Sequence, residues 1–309
     1  MNHRMLPLIY LVILGAIWGL HFSVNKIAAQ SGLSYRGIAA ITTTGVATAL
    51  VFIAIIRRRW PAYNLTHLRF YFICAILGYV APFFLELFSA AHLPASVLTL
   101  VVSSSPLFTV VLALAVGSDT ITPRRSLGIA IGAGSASLIL VPAVLGLSDV
   151  PVAWIALAFS VPLTYASYHN YVAKAWPRES DSFQVACGEA LAALLILLPI
   201  YLWRGNVGEM QGALGLGHLA IGVMVVFAVI EIFLYFEIVR LAGPIFVSQA
   251  NYVTVVIGVF FGMIIFGEPL SRWIILSAGL LGLALYLMAM QRSKSENPEN
   301  GVPDARESP

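Results

Sequence analysis

Four glutamates, Glu86, Glu189, Glu231 and Glu237, lie inside long apolar stretches of the chain. A charged side chain at the centre of a bilayer costs roughly 2.5–3.5 kcal/mol, so each needs a partner or a task. Glu237 stands three residues before Arg240, the spacing of a helical ion pair, and that pair accounts for it. Glu189 is open between a structural helix–helix hydrogen bond and a functional role. Glu231 sits too far from either end of its stretch to reach water and is read as functional. Glu86 has Lys26 at a similar depth, and a Lys26–Glu86 pair is expected to act as a lock broken by substrate or proton. The chemistry open to such acids is binding a cation or carrying a proton, with Glu231, Glu86 and Lys26 as the coupling or gating residues.

Helical spacing groups further polar residues with aromatic ones. Trp18, His21, Phe22 and Asn25 share one face, as do Tyr79, Phe83 and Glu86; so do Tyr165, Tyr168 and His169, and Glu231 with Tyr235. Lipid would not favour such mixed stripes, so they are expected to face inward and line a binding cavity. The candidate substrate contacts are Trp18, His21, Asn25, Tyr79, Phe83, Tyr165, Tyr168 and Tyr235. Taken singly, His21 and His169 suit structural hydrogen bonding. Pro106, after three serines, and Pro82 are candidate hinges, because proline frees a carbonyl inside a helix. Gly15-xxx-Gly19, Gly128-xxx-Gly132 and Gly258-xxx-Gly262 permit close helix approach.

Enzymatic motifs are missing. There is no HExxH, Gly-x-Ser-Gly or Gly-x-Gly-Asp, no clustered metal ligands and no Walker-type phosphate loop, so no metal, cofactor or direct ATP use is expected. Cys74 and Cys187 both fall in apolar segments and read as buried thiols.

The elements that carry these residues follow from composition. The chain has 309 residues, 60% of them hydrophobic and only 10% charged, against roughly a quarter charged in a soluble domain. Its mean hydropathy is +0.91. Such a surplus of apolar surface calls for lipid as solvent, and the thin net charge of +3 excludes a nucleic-acid partner. Apolar runs at 7–29, 37–56, 68–90, 95–116, 127–145, 152–173, 183–203, 219–239, 245–266 and 273–290 give ten expected transmembrane helices. Backbone self-sufficiency in lipid makes each a helix, so the fold class is an all-α membrane protein. The first run follows the basic Arg4 but is too long for a cleaved signal peptide and is expected to be retained.

With the N-terminus cytoplasmic, the outer segments keep only Lys26, Arg36, Arg204 and Arg272 of the 17 basic residues. This positive-inside bias sets the orientation, and an even number of spans places the C-terminus cytoplasmic too. Five tryptophans, Trp60, Trp154, Trp176, Trp203 and Trp273, fall at span ends, where amphipathic rings belong; Trp18 alone lies well inside. The polar tail, 291–309, reads as a disordered cytoplasmic segment.

The halves repeat. His21-Phe-Ser-Val-Asn-Lys26 matches His169-Asn-Tyr-Val-Ala-Lys174 at an offset of 148, and Phe84-Leu85 matches Phe233-Leu234 at 149. Gly117-Ser-Asp119 likewise matches Gly267-Glu268. Two five-helix units, 6–145 and 151–290, are therefore expected, and an odd count makes them inverted repeats.

Ile17-Trp18-Gly19, Ser103-Ser-Ser-Pro106-Leu-Phe, Gly117-Ser-Asp119 with Pro123, and Gly267-Glu268-Pro-Leu before a glycine-rich last span together resemble the EamA-like members of the drug/metabolite transporter superfamily. Asp119 stands where that family usually has Glu, and Thr42, Thr43 and Thr44 replace an arginine often found in span two. The resemblance implies a ten-helix basket around a central cavity, an inner-membrane location, and export of amino acids or related metabolites. Residues and resemblance together lead to a secondary transporter, monomeric or homodimeric, exporting a small amphipathic substrate such as an amino acid or cationic compound. Alternating access is the expected mechanism, with protons as the coupling partner. A nucleotide-sugar or phosphate-ester antiporter is the alternative, which would want deep cationic residues; an intramembrane enzyme or scaffold is a third, more distant one.

Overall fold

The computed structural model describes residues 5–115, 123–144, 151–177, 180–203, 215–248, 250–269 and 271–289. Asp119, Arg4 and the tail from 291 lie outside them. Among the described residues every regular element is helical. In order they are α1 (Met5–Ala29), α2 (Tyr35–Arg57), α3 (Leu65–Cys74), a π-helical segment (Ala75–Val80), α4 (Ala81–Ala90), α5 (Ala95–Val102), α6 (Ser105–Ala115) and α7 (Pro123–Val144). The second half holds α8 (Val152–Ala158), α9 (Ser160–Ala175), α10 (Ser182–Trp203), α11 (Leu216–Ser248), α12 (Ala250–Phe266) and α13 (Arg272–Ala289). Each expected apolar run is thus mainly helical where it is described. Among the described residues six stretches are long and apolar enough to cross a membrane: Leu6–Ala29, Tyr35–Arg57, Leu65–Ala90, Ala95–Leu112, Ser182–Pro199 and Leu216–Leu241. Large apolar side chains such as Phe52, Leu195, Val256 and Ile264 point outward, as a lipid-facing surface requires.

Local chemistry explains where the rods start, stop and break. Ser34 and Asn64 cap α2 and α3 by accepting the Gly37 and His67 N–H groups. Arg58 ends α2 in the left-handed region at φ 52°. The π segment falls just before Pro82: the proline ring cannot sit against the carbonyl four residues back, and one extra residue per turn relieves it. Span four breaks at Ser103–Ser104, directly before Pro106, and span six breaks at Phe159, three residues before Pro162. The eighth expected span, α11, departs from expectation, continuing to Ser248 rather than ending near 239. Glu237 and Arg240 do not terminate it because they neutralise each other along one face, Arg240 Nε donating to Glu237 at 3.0 Å.

The helices of the two halves interleave. Pairs α7–α13, α5–α12 and α2–α10 bring corresponding helices together, while α1 packs on α11 and α12 much as α9 packs on α4 and α6. Exchanging the halves leaves this pattern unchanged. Connections also sort by end. At one end Glu268, after α12, reaches the start of α5 and the end of α1, and His92 stacks on Trp154 at 3.6 Å. At the other, Arg59 pairs with Asp181 at 2.6 Å and His67 meets Ser180 at 3.0 Å. Glycines set the tightest contacts: a Cβ on Gly19 would lie 2.7 Å from Ile257, and one on Gly258 would lie 2.4 Å from Thr99.

Candidate functional site

A cavity of about 130 Å³ opens where α1, the π segment, α4, α5, α6, α9, α10, α11 and α12 meet. Trp18, Tyr79, Tyr165, Tyr168 and Tyr235 form its aromatic wall, and Glu86, Glu189 and Glu231 supply its charge. Among the described residues no lysine or arginine lines it. His21 lines it between two of these acids. The His21 Nδ1 lies 3.1 Å from Glu231 Oε1, and Nε2 lies 3.9 Å from Glu86 Oε2. One imidazole on α1 therefore bridges an acid from each half of the chain.

The two acids are held differently. Glu86 accepts Asn25 Nδ2–H at 3.1 Å and the Tyr165 hydroxyl at 2.8 Å, and its side chain is 5% exposed. Glu231 takes its bond from His21 and is 14% exposed. Further along, Tyr168 donates to Glu189 at 2.9 Å, and His169 Nδ1 meets the Tyr235 hydroxyl at 2.8 Å. Tyr235 stacks against both Tyr168 and His169, with ring centroids 5.3 Å and 5.5 Å away. Gly78 lets the Tyr168 ring approach, since a Cβ there would stand 2.6 Å from it. Buried acids with donors on each side are polar groups fixed in place, and aromatic faces beside them suit a cation carrying an apolar body.

Both halves of the chain match one family of transport proteins, over residues 5–141 and 152–290. The chain belongs to the EamA-like transporter family. It is a multi-pass membrane protein built from two EamA repeats. Among solved structures it is similar to one titled "Crystal structure of protein", with 16% identity and a TM-score of 0.60. That likeness covers 93% of this chain and 99% of the other, and it speaks for the fold alone. No curated protein matches the sequence.

Within the EamA-like fold, Trp18, His21, Tyr79, Tyr165, Tyr168, Tyr235, Glu86 and Glu231 all line the cavity. Asn25 stands behind Glu86 as its donor, and Phe83 stacks on Tyr79 at 5.9 Å from outside the lining. Pro82 and Pro106 sit beside the π segment and the span-four break. The Lys26–Glu86 lock does not form. Lys26 Nζ instead donates to Glu268 at 2.7 Å, while its chain neighbour Asn25 takes Glu86. Successive helical residues point about 100° apart, so α1 cannot turn both toward the same acid. Glu189, His169, Ser105, Asn251 and Thr254 also line the cavity without having been picked as binding residues. His169 was within reach through its stripe with Tyr165; Glu189 was an isolated acid whose facing depends on the packing of α10.

Proposed function

We propose that this EamA-like protein is a secondary transporter that exports a small amphipathic amine, an amino acid or a cationic compound, by alternating access and in exchange for protons. One observation carries the reading: Glu86 of the first repeat and Glu231 of the second converge on His21 inside an aromatic-walled cavity that, among the described residues, no lysine or arginine lines. Acids from opposite repeats meeting on one ligand would let rocking of the halves expose it to either side. Ten crossings in two inverted sets fit the way connections sort to two ends, and exchange symmetry in the packing supports the same arrangement. The positive-inside bias argues for cytoplasmic termini, in a bacterial inner membrane. A phosphate-ester antiporter finds no support in a cavity with three glutamates, from which Lys26 is drawn away by Glu268.

Reconstituted protein should be assayed with a panel of labelled amines, amino acids and phosphate esters, with and without a pH gradient. Amine-bearing compounds are expected to move and phosphate esters are not. Glu231→Gln should abolish gradient-driven flux. Phosphate-ester flux, or unchanged pH dependence in the variant, overturns the proposal.

A further inference from the structure

His21 is placed where a transported cation would have to go. Its ring fills the gap between Glu231 and Glu86, at 3.1 Å and 3.9 Å, on the helix face that also brings Trp18 to the cavity. The groups around it come from every helix that packs there. Glu231 and Tyr235 come from α11, Glu86 from α4, Tyr165, Tyr168 and His169 from α9, Glu189 from α10 and Tyr79 from the π segment, whereas α12 offers Asn251 and Thr254. His169, the other cavity histidine, is engaged with Tyr235 rather than with an acid. His21 is thus the side chain that can carry positive charge against both carboxylates.

We infer that protonated His21 is a built-in stand-in for the substrate, and that a bound cation takes its place on Glu231 while the His21 proton leaves. The inference rests on the cation-transport reading above and assigns its coupling proton to the imidazole, not to a carboxylate. The charge balance explains why the two ions exclude each other. Two carboxylates with an imidazolium leave one net negative charge, and so do two carboxylates with a neutral imidazole and one monovalent cation. Both cations together would place like charges side by side in a dry site, and neither would leave two facing acids uncompensated. In the step itself, the Nδ1–H bond to Glu231 opens, the proton passes from the imidazolium to water in the open cavity, and the cation forms an ion pair with Glu231. Glu86, held by Asn25 and Tyr165, keeps its place and completes the cation's cage. One cation then exchanges for one proton without net movement of charge.

The test uses the full-length protein in detergent and benzyltrimethylammonium, an aromatic cation that carries no proton of its own. Calorimetric titration in buffers of differing ionisation heat counts the protons released. Wild type should release about one proton per cation bound, and its Kd should rise up to about tenfold for each unit fall in pH while His21 is protonated. His21→Gln should bind the probe with clearly less proton release and a weaker pH dependence between about pH 6 and about pH 8, since what remains can come only from the carboxylates. His21→Lys, a tethered cation that stays charged, should lose probe binding while keeping its thermal unfolding transition. The inference is overturned by binding without proton release in wild type, by undiminished release in His21→Gln, or by wild-type binding in His21→Lys. Absence of binding in wild type overturns the cation reading itself, and so the two failures are told apart.

Discussion

Replacing Glu268 should loosen one end of the helix bundle, and the size of the effect can be worked from its contacts. The carboxylate accepts Lys26 Nζ at 2.7 Å, the Ala95 N–H at 2.7 Å, the Ser96 N–H at 3.0 Å and the Ser96 hydroxyl at 2.7 Å. It therefore joins the end of α1, the link between α12 and α13, and the first turn of α5, where a negative charge also meets the positive end of the helix. Its side chain is 9% exposed, so solvent screens these bonds little. Phe266 lies under the Lys26 ammonium at 4.4 Å from its ring centre, which fixes the lysine further. Glu268→Gln keeps the shape but removes the charge and turns an amide donor toward groups that already donate. A loss of about 3 kcal/mol is expected, the low end for breaking a buried pair. Lys26→Met should cost about half as much, because Ala95 and Ser96 still hold the acid, and the two changes together should cost about 1.5 kcal/mol less than their sum.

Acid titration gives the same prediction a second readout. Burial by itself raises the Glu268 carboxyl, but the bonds from Lys26, Ser96 and Ala95 outweigh it and hold the group below the ordinary carboxylate range. A carboxyl depressed in the folded state binds fewer protons there than in the unfolded state. Its contribution is therefore complete above the ordinary value of 4.5 and is lost as pH falls through the lower, folded value. Unfolding midpoints in mixed micelles should separate wild type from Glu268→Gln near neutrality and bring them together in acid. Exchanging the charges, Lys26→Glu with Glu268→Lys, should give no rescue, because a lysine at 268 cannot accept from the start of α5. Stability of Glu268→Gln within about 0.5 kcal/mol of wild type, or full rescue by the exchange, refutes the reasoning.

Two further outcomes follow from the same coordinates. Gly262→Ala should reproduce part of the Glu268 defect, since the new methyl would lie 2.7 Å from Glu268 Oε2, and Gly258→Ala should cost more, about 2–3 kcal/mol, because its methyl meets Thr99 at 2.4 Å; unfolding midpoints of both variants check the order. Pro106→Ala restores an N–H able to reach the Val102 carbonyl across the break between α5 and α6, so it should raise stability by about 1 kcal/mol and slow turnover if the break moves during transport, both measurable in proteoliposomes and by thermal unfolding.

What the sequence revealed and what it hid divide along a physical line. Side chains on one helix share a face by spacing alone, and so Trp18, His21 and Asn25 could be grouped, as could Tyr165 with Tyr168, before any packing was known. The Glu237–Arg240 pair was legible for the same reason. Contacts between distant helices were not. Lys26 and Glu268 are 242 residues apart, and choosing Glu268 over Glu86 requires knowing which way α1 is rotated against α4 and α12. The length of α11 was hidden for a related reason: charged residues suggest an end in lipid, but a mutually neutralised pair does not impose one.

The duplication makes the site intelligible because it is imperfect at the residues that bear charge. The offset of 149 that aligns Phe84-Leu85 with Phe233-Leu234 sets Glu86 against Tyr235 and Glu231 against Pro82, while His21 aligns with His169 at the offset of 148. Each histidine faces its own symmetry-related partner: His21 lies 3.9 Å from Glu86, and His169 lies 2.8 Å from the Tyr235 hydroxyl. One of the two equivalent pairs is therefore ionisable and the other is a neutral hydrogen bond. Glu231 adds its charge on the same side, contacting His21, and its counterpart in the first half is Pro82, just after the π segment. A near-symmetric fold thereby places its two related histidines in unlike surroundings, His21 between two acids and His169 against a phenol.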